Sequence, residues 1–579
     1  MIDRRTLLGS AACLAAGMGL SGCGRVDDGP TKGAELVPTS WAAVRISEPS
    51  AIDPLSASDR AGMQVLRALY SPLTRVVDGG AVPYAARGFE VSEDALSVSF
   101  KLLDGAVFHN GEAVTASSFK RAWERLVRPI EAAVDGSVTS DDAAPRHGRW
   151  CALLSSIEGY EALYEGRASE LVGLRCPDDL TLEVSFTRQN ASFPTLASHP
   201  ALGPVPSSAD VDPEGYASKP VGNGPFKLKR AWSQGDADIR LARFDGCSTT
   251  PALAEGLLFS IQGDVASAYN QFLAGNLDIC DVPVDQLRDA EKAAGPSTDP
   301  AAMKPGERLA HGAESGLTYL VCNTRAVPFS LPEFRRAVSL AIDREALCRK
   351  ALAFSAEPAQ GPVSACAGGA SPWEACFYDA ERAAEVVESL RERAQDGKEP
   401  STELGSAESP AAVQAEPLEP LVLDFTLLYR KGGTQARMAA QIAADLHQLG
   451  VNVKTSALDA EDLLERYGSG EFTCGLATLD PAVATAEAVA DALFGPDSPR
   501  AGWTGWEDAD LSAALEGAAT LADAPARAVR VDEALALAGA DLPVIPLVHP
   551  AYTKIADDRV STAKVCPDGT VDPQSIELA

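Results

Sequence analysis

Residues 100–126 read FKLLDGAVFHNGEAVTASSFKRAWERL, which predicts a strand, a tight turn and a capped helix in close succession. The strand is predicted because apolar and polar residues alternate from 96 to 102, as they do in a strand with one buried face. The HNG tripeptide at 109–111 indicates a turn. Thr115 is placed to cap a helix whose apolar residues share one face and which Pro129 ends.

Further along the chain the same two periodicities recur. Residues 180–186 alternate like the first strand, and a helical region runs from Pro332 through FRRAVSLAIDREALCRKAL, where Asp343 is placed as a helix cap. Residues 391–420 are rich in Glu, Pro, Ser and Ala and are predicted to be a disordered or loosely held acidic insertion on the surface. Strands mixed with helices along the rest of the chain predict an α/β fold.

The amino terminus predicts export. Arg4 and Arg5 precede a short apolar run, and Leu20-Ser21-Gly22-Cys23 matches a lipobox, so we expect 1–22 to be a signal peptide and Cys23 to carry lipid. An ordinary signal peptide with an incidental cysteine is the alternative. The paired arginines fit a twin-arginine signal or the general secretory route, and that choice stays open. Residues 23–35 are polar and are predicted to be a tether.

Composition excludes several classes of partner and site. The chain has 579 residues and a net charge of −31, and a surface this acidic repels nucleic acid and anionic lipid headgroups. The 12 cysteines include no CxxC pair and no zinc-like spacing, so no metal site is expected. Cys366 and Cys376, which close the loop CAGGASPWEAC, form the best candidate disulfide, and two reduced thiols are the alternative.

Three segments occur in a characteristic order: 100–126, VGNGPFKL at 221–228 and YLVCNTRAVPFSLPEFRRAVSLAIDREAL at 319–347. In sequence, order and spacing they resemble the bacterial extracellular solute-binding family 5, which comprises dipeptide, oligopeptide and nickel-binding receptors of ABC importers. The likeness extends to LPVIPLVHPAYTKI at 542–555, and residues 157–184 and 192–206 are similar to the oligopeptide branch.

The resemblance implies a two-lobed fold of the periplasmic-binding-protein type, class II, with a hinge and an additional inserted domain. It divides the chain into lobe I (36–80, 181–312 and 545–579), the inserted domain (81–180) and lobe II (313–544, which contains the acidic insertion).

For function, the resemblance implies a monomeric, membrane-anchored extracytoplasmic receptor without a cofactor, which hands peptides to permease and ATPase subunits on separate chains. No G-x-S-x-G, H-E-x-x-H or P-loop motif occurs, and the six histidines are scattered, so we expect no enzyme. The alternatives are a nickel or haem chelate receptor on the same fold, and a lipoprotein that senses without transporting.

The resemblance also places the ligand. The family anchors the ligand's ammonium on an aspartate after a tryptophan, and the matching segment 471–495 offers Asp480 but lacks the tryptophan. An ungapped match would instead put Ala477 at the anchor position, and a helix cap before Pro481 is a further interpretation of Asp480. Tyr429 and Arg430 end a strand that in the family enters the cleft, where a cation could meet a carboxylate; a solvated strand end is the alternative.

Overall fold

The computed structural model describes residues 38–130, 147–395 and 422–579, whose strands and helices are mixed along the chain. The strands are β1 (Trp41–Ile46), β2 (Thr74–Val77), β3 (Gly80–Pro83), β4 (Ala86–Val91), β5 (Ser97–Leu102), β6 (Leu174–Asp178), β7 (Thr181–Ser185), β8 (Phe226–Leu228), β9 (Asp238–Arg243), β10 (Gly256–Ile261), β11 (Ile279–Asp281), β12 (Ala302–Met303), β13 (Leu309–Ala313), β14 (Leu317–Cys322), β15 (Ala356–Pro358), β16 (Phe425–Arg430), β17 (Val453–Leu458), β18 (Cys474–Leu479), β19 (Val544–Ala556), β20 (Val560–Lys564) and β21 (Glu577–Leu578). The helices are α1 (Arg60–Leu69), α2 (Ala116–Val127), α3 (Tyr160–Tyr164), α4 (Phe193–Leu196), α5 (Ser208–Val211), α6 (Pro213–Ser218), α7 (Val265–Leu273), α8 (Leu287–Ala294), α9 (Pro332–Ala341), α10 (Arg344–Ala346), α11 (Ala380–Gln395), α12 (Gln435–His447), α13 (Ala460–Ser469), α14 (Ala486–Phe494), α15 (Pro499–Thr504), α16 (Ala509–Ala519) and α17 (Ala524–Asp541).

The predicted signal peptide, with Arg4 and Arg5, and the predicted lipid-carrying Cys23 lie outside the described residues, as does the tether up to residue 35. In the three described ranges, no helix combines the length and the apolar character needed to cross a membrane.

A twelve-stranded sheet is the backbone of the fold. Its strands follow the order β17-β16-β18-β14-β19-β11-β1-β10-β9-β8, and β13 and β15 also pair with β19. Strand β14 is buried along its whole length, as its nearly continuous apolar sequence LTYLVC requires of a central strand. A separate four-stranded sheet, β4-β5-β7-β6, is formed by residues within 86–185.

Two extended segments run in opposite directions between two apolar cores. The first core contains buried residues from 42 to 310 and from 552 to 576, and the second contains buried residues from 317 to 548. Strand β19 pairs through its first half with β14 and through its second half with β13 and β11. The short link from β13 to β14 is the second segment, and it runs beside β19 in the opposite direction. These two segments are the backbone connections between the cores, an arrangement typical of a hinge.

Most elements predicted from sequence periodicity are confirmed. Strands β5 and β7 and helix α2 form where the patterns place them, and the Thr115 amide donates to the Ser118 hydroxyl at 3.2 Å. The long helical region after Pro332 differs from the prediction, because α9 ends at Ala341. Asp343 then caps the separate helix α10 by accepting from the Ala346 amide, and a π-helical turn follows at Leu347–Ala351.

The boundary of the acidic insertion needs correction. Helix α11 continues to Gln395, so residues 391–395 belong to a helix and not to the insertion. The helix extends this far because Arg391 donates to the Leu449 and Gly450 carbonyls at 3.0 and 2.9 Å, which ties its last turns to the second core. Residues 396–420, the rest of the predicted insertion, lie outside the described residues.

The predicted disulfide between Cys366 and Cys376 is not formed, and both are free thiols. The Cys366 thiol lies 3.1 Å from the Ser364 hydroxyl and 3.8 Å from the Pro567 carbonyl oxygen. Cys376 is buried among apolar residues, where the Arg344 guanidinium partly offsets the rise in thiol pKa that burial causes. Different packing of the two thiols therefore overrides their closeness in sequence.

The VGNGP segment and the HNG turn form one structural joint. The His109 ring accepts from the Gly222 amide through Nδ1 at 3.1 Å, and its Nε2 lies 3.1 Å from the Gly224 carbonyl oxygen. Gly224 in turn donates its amide to the Leu69 carbonyl at the end of α1. Asn223 exchanges two hydrogen bonds with the backbone of Ser71. The glycines of the VGNGP segment thus serve the scaffold, because they join the HNG turn to the end of α1.

We expect His109 to make a destabilising contribution as the pH drops below 6.5, because it must be neutral to accept from the Gly222 amide. Burial lowers the pKa of His109 to about 4 and burial lowers that of His199 to about 3. A histidine with a depressed folded-state pKa binds fewer protons when folded, so its contribution is intact above pH 6.5 and lost as the pH falls through about 4. For His109 this amounts to at most about 3 kcal/mol.

Urea unfolding at a series of pH values checks this expectation. His109→Asn keeps an acceptor near the Gly222 amide and should lose less unfolding free energy between pH 6.5 and 4 than the wild type. His311→Asn, at a partly exposed histidine on β13, should follow the wild type. Equal acid sensitivity of the wild type and His109→Asn would show that His109 titration does not contribute.

Candidate functional site

A cavity of about 390 Å³ lies beside β19 and the link between β13 and β14, the two segments that cross from one core to the other. Residues from both sides line it: Arg45 and Ser47 at the end of β1, Arg60 at the start of α1, Lys554 on β19, and Phe354 from the second-core side. The volume is in the range of small-molecule binding sites. Because its wall combines the first core, the crossing strands and the second core, its shape depends on how the cores are arranged.

An ion-paired trio forms the first-core wall of the cavity. Asp281 on β11 accepts from Arg45 at 2.8 Å and from Lys554 at 2.5 Å. Burial disfavours the Asp281 charge, but Lys554 and Arg45 outweigh it and hold the pKa of this carboxyl below its ordinary value. Two cations around one carboxylate leave this wall with a local net positive charge.

A second charged group bridges the two cores. The Arg60 guanidinium lies 2.5 Å from Glu314, in the link between β13 and β14, and 3.6 Å from Asp480 beyond β18. Glu314 is only 5% exposed. Burial raises the pKa of the Glu314 carboxyl, and Arg60 opposes that rise. Arg60 is therefore held by Glu314 and only loosely engaged with Asp480.

Asp480 lies where the second core meets the link between β13 and β14. It directly follows β18, whose last residue Leu479 is paired with Leu317 on β14, so Asp480 lies beside Gly316. A side chain at position 316 would come within 2.8 Å of the Asp480 carboxylate. The Asp480 side chain is 75% exposed, which leaves the carboxylate open to a ligand.

Tyr429 and Arg430 lie further from the cavity than Asp480 does. They end β16, which runs parallel to β18 with Leu428 paired to Gly475, so Arg430 stops about 10 Å short of Asp480 along the strands. Neither residue lines the cavity. Tyr429 packs against the second core, while Arg430 is exposed and makes no ion pair within the described residues. Asp480 does not line the cavity either, but it lies 3.6 Å from the guanidinium of Arg60, which does.

Phe354 is an additional candidate that the sequence analysis did not identify. It is 52% exposed, lines the cavity, and follows Ala353 in a turn where both residues have positive φ (63° and 50°). Non-glycine residues adopt this conformation rarely, and such strain concentrates at functional sites. The turn thus places an aromatic side chain in a wall that also contains apolar residues, Tyr552 and several charged groups.

Sequence patterns overlooked most of the charged residues that line this site, because they are far apart in the chain. Arg60 only follows the helix cap Asp59, and Glu314 occupies a short link without periodicity. Lys554 alone carried a usable signal, since it is a cation inside the largely buried strand β19. Charged residues in buried strands point to paired or functional groups.

The described residues contain no group of three histidine, cysteine or carboxylate side chains arranged to hold a metal ion. What the arrangement offers is a cavity with cationic groups, anionic groups and two aromatic residues, Phe354 and Tyr552, in its wall. Such a site can hold a ligand with both charges, because each charge finds a group of opposite sign nearby.

Comparisons with known proteins agree with this architecture. A dipeptide-binding protein, DppE of Bacillus subtilis (strain 168), is 25% identical over 537 residues, covering 91% of this chain and 89% of DppE. A probable deoxycholate-binding periplasmic protein, YgiS of Escherichia coli (strain K12), is 23% identical over 515 residues, covering 88% of each chain. The solved structure of the periplasmic murein tripeptide-binding protein MppA, in its unliganded open form, matches with a TM-score of 0.72 and 20% identity, covering 94% of this chain and 98% of MppA.

The structural match confirms the predicted α/β fold with two lobes of the periplasmic-binding-protein type. The model of the bacterial extracellular solute-binding proteins, family 5 Middle, matches residues 80–499, which is most of the chain. Members of this family are binding proteins. On the strength of that match, together with the two cores and the cavity at their junction, the chain belongs to the bacterial extracellular solute-binding proteins of family 5.

Proposed function

We infer that this chain is the substrate-binding protein of an ABC importer, anchored outside the cytoplasmic membrane by lipid on Cys23, and that it captures short peptides without catalysing a reaction. The observation that carries the proposal is the Arg60–Glu314–Asp480 group, which spans the two lobes beside a cavity. The dipeptide named for DppE supports the substrate class.

The charges around the cavity suit the two ends of a peptide. Asp480 supplies an exposed carboxylate for the terminal ammonium, and Arg60 contacts it at a distance 1.1 Å longer than its contact with Glu314. An ammonium can therefore approach Asp480 while Arg60 stays on Glu314. The Arg45 and Lys554 cations provide the opposite charge for the terminal carboxylate.

Closure around the ligand follows from the crossing segments. Their backbones are joined by a hydrogen bond of 2.7 Å from the Glu314 amide to the Pro550 carbonyl, and His549 Nδ1 lies 2.8 Å from the Gly316 carbonyl oxygen. A peptide that contacts Asp480 on one lobe and the cations on the other interacts more strongly with the closed arrangement. Differential contacts of this kind are what shift such an equilibrium.

Titration calorimetry with di- to pentapeptides tests the proposal. We expect saturable binding, and we expect Asp480→Asn to weaken it roughly tenfold to a hundredfold, as loss of a hydrogen-bonded charge pair predicts. Asp462→Asn, at an exposed aspartate on α13 of the same lobe, should bind as the wild type does. Peptides with an acetylated amino terminus should bind the wild type weakly, and the Asp480→Asn substitution should lower their affinity little further.

Native mass spectrometry gives the complementary measurement. A spread of co-purified peptide masses supports the proposal. Binding of an anionic steroid or of a metal chelate, in a protein that ignores all peptide pools, would overturn the peptide assignment. Equal affinity for free and acetylated peptides would retain peptide binding but remove Asp480 as the ammonium partner.

A further inference from the structure

Two cysteines face each other across neighbouring strands of the second core. Cys322 ends β14 and Cys474 begins β18, and the antiparallel ladder pairs them directly. Both have no exposed surface, and both are thiols in the structure. Among the described strands no other two cysteines are paired in this way.

The backbone register places this pair at a position that can accept a disulfide. The Asn323 amide donates to the Thr473 carbonyl at 3.0 Å, whereas the Cys322 amide turns away and donates to Pro543 at 3.2 Å. Hydrogen-bonded and non-hydrogen-bonded pairs alternate along an antiparallel ladder, so Cys322 and Cys474 form a non-hydrogen-bonded pair. Such pairs have Cα atoms about 4.5 Å apart, inside the range that disulfides span.

The direction in which the pKa of Cys474 is shifted is consistent with a second thiol close by. Burial raises the pKa of Cys474 well above its ordinary value, and the neighbouring Cys322 thiol raises it further. A buried thiol with a raised pKa reacts slowly once the protein has folded. Oxidation would therefore take place as the strands come together during folding, or during local opening.

We propose that Cys322 and Cys474 form an interstrand disulfide when the chain folds in an oxidising compartment. The oxidant is a disulfide compound: its sulfur–sulfur bond breaks, it takes up two electrons and two protons, and it leaves as two thiols. The two cysteines lose those electrons and protons and form one sulfur–sulfur bond. Natural exposure to such an oxidant rests on the proposed export of the chain.

The bond would fasten the strands that present the binding site. Strand β14 continues from the crossing link at Gly316, and β18 leads to Asp480. At the opposite end of this strand pair, the side-chain amide of Asn323 already donates to the Gly470 and Phe472 carbonyls at 3.0 and 2.8 Å. A disulfide beside these contacts closes a long loop, and long loops lose the most entropy in the unfolded chain when they are closed.

Peptide mapping of the whole protein, refolded in a glutathione redox buffer, tests the proposal independently of ligand binding. After alkylation in denaturant without reductant, we expect two fewer modified cysteines than in a reduced sample, and one cross-linked peptide that carries residues 322 and 474. Reductant should lower the thermal midpoint of the wild type and leave that of a Cys322→Ser, Cys474→Ser double variant unchanged.

Cys348→Ser provides the matched control, because Cys348 is also buried but has no cysteine opposite it. The cross-link should persist in this variant and disappear in Cys322→Ser. Full alkylation of both cysteines in the oxidised wild type, or a cross-link to a different cysteine, would overturn the proposal. The wild-type map decides the question even where a serine variant fails to fold.

Discussion

Gly222→Ala should destabilise the protein by about 3 kcal/mol or more. A Cβ atom at position 222 would lie 1.9 Å from the Leu69 carbonyl oxygen at the end of α1, and the contact is with backbone that cannot rotate away. The same carbonyl accepts from the Gly224 amide at 2.8 Å, so relief of the clash would also break that hydrogen bond. Overpacking and a lost buried hydrogen bond together give this magnitude.

Urea unfolding measures the effect, and pulse proteolysis in lysate replaces it if the variant does not survive purification. Gly517→Ala is the control, because nothing lies within 4 Å of a Cβ added there, in the last turn of α16. It should leave the free energy of unfolding unchanged or raise it by up to about 1 kcal/mol, as alanine does in a helix. Wild-type stability in Gly222→Ala would mean that α1 can shift freely against the VGNGP segment.

Arg344→Met should lower the free energy of unfolding by about 3 kcal/mol, although it removes a buried charge. Arg344 is 3% exposed and donates to the Pro546 carbonyl at 2.8 Å, to the Ser339 carbonyl at 2.9 Å and to the Ser339 hydroxyl at 2.9 Å. Methionine fills the space but leaves two buried carbonyl oxygens without partners, each worth roughly 1–3 kcal/mol. Pro546 belongs to β19, so the variant also loosens a crossing strand.

Thermal and urea unfolding check this value, with Arg349→Met on the following turn as the control. Arg349 is exposed, so its replacement should change the stability by less than about 0.5 kcal/mol. The stability of Arg344→Lys should be close to that of Arg344→Met, because one ammonium cannot reach acceptors on both Ser339 and Pro546. A stable Arg344→Met would show that burying the guanidinium costs as much as its hydrogen bonds contribute.

Local physics explains why several elements were predictable. The alternation from 96 to 102 needs only one buried face, and the cap at Thr115 needs only the first turn of α2. The break at Ile342–Asp343 was not predictable in this way, because Arg344 turns inward to bind β19, some 200 residues later in the chain. The Cys366–Cys376 prediction was wrong for a related reason, since each thiol packs against distant residues.

For the site, Asp480 was identified through resemblance, while its neighbours were not. Arg60, Glu314 and Lys554 come from a helix start, a link and a late strand, and none stands near another in sequence. Only the return of β19 beside the β13–β14 link brings them to one cavity. Charges that are far apart in a chain carry no shared periodicity, so no window of sequence reports their pairing.

The sequence by itself determined the family, the α/β class and the strand–turn–helix units, because each depends on contacts within a short stretch or on a matched motif. The tertiary structure alone decided which charges face the cavity, that Arg60 bridges Glu314 and Asp480, and that Cys322 lies opposite Cys474. Those features depend on strand order and register, which long-range backbone pairing sets.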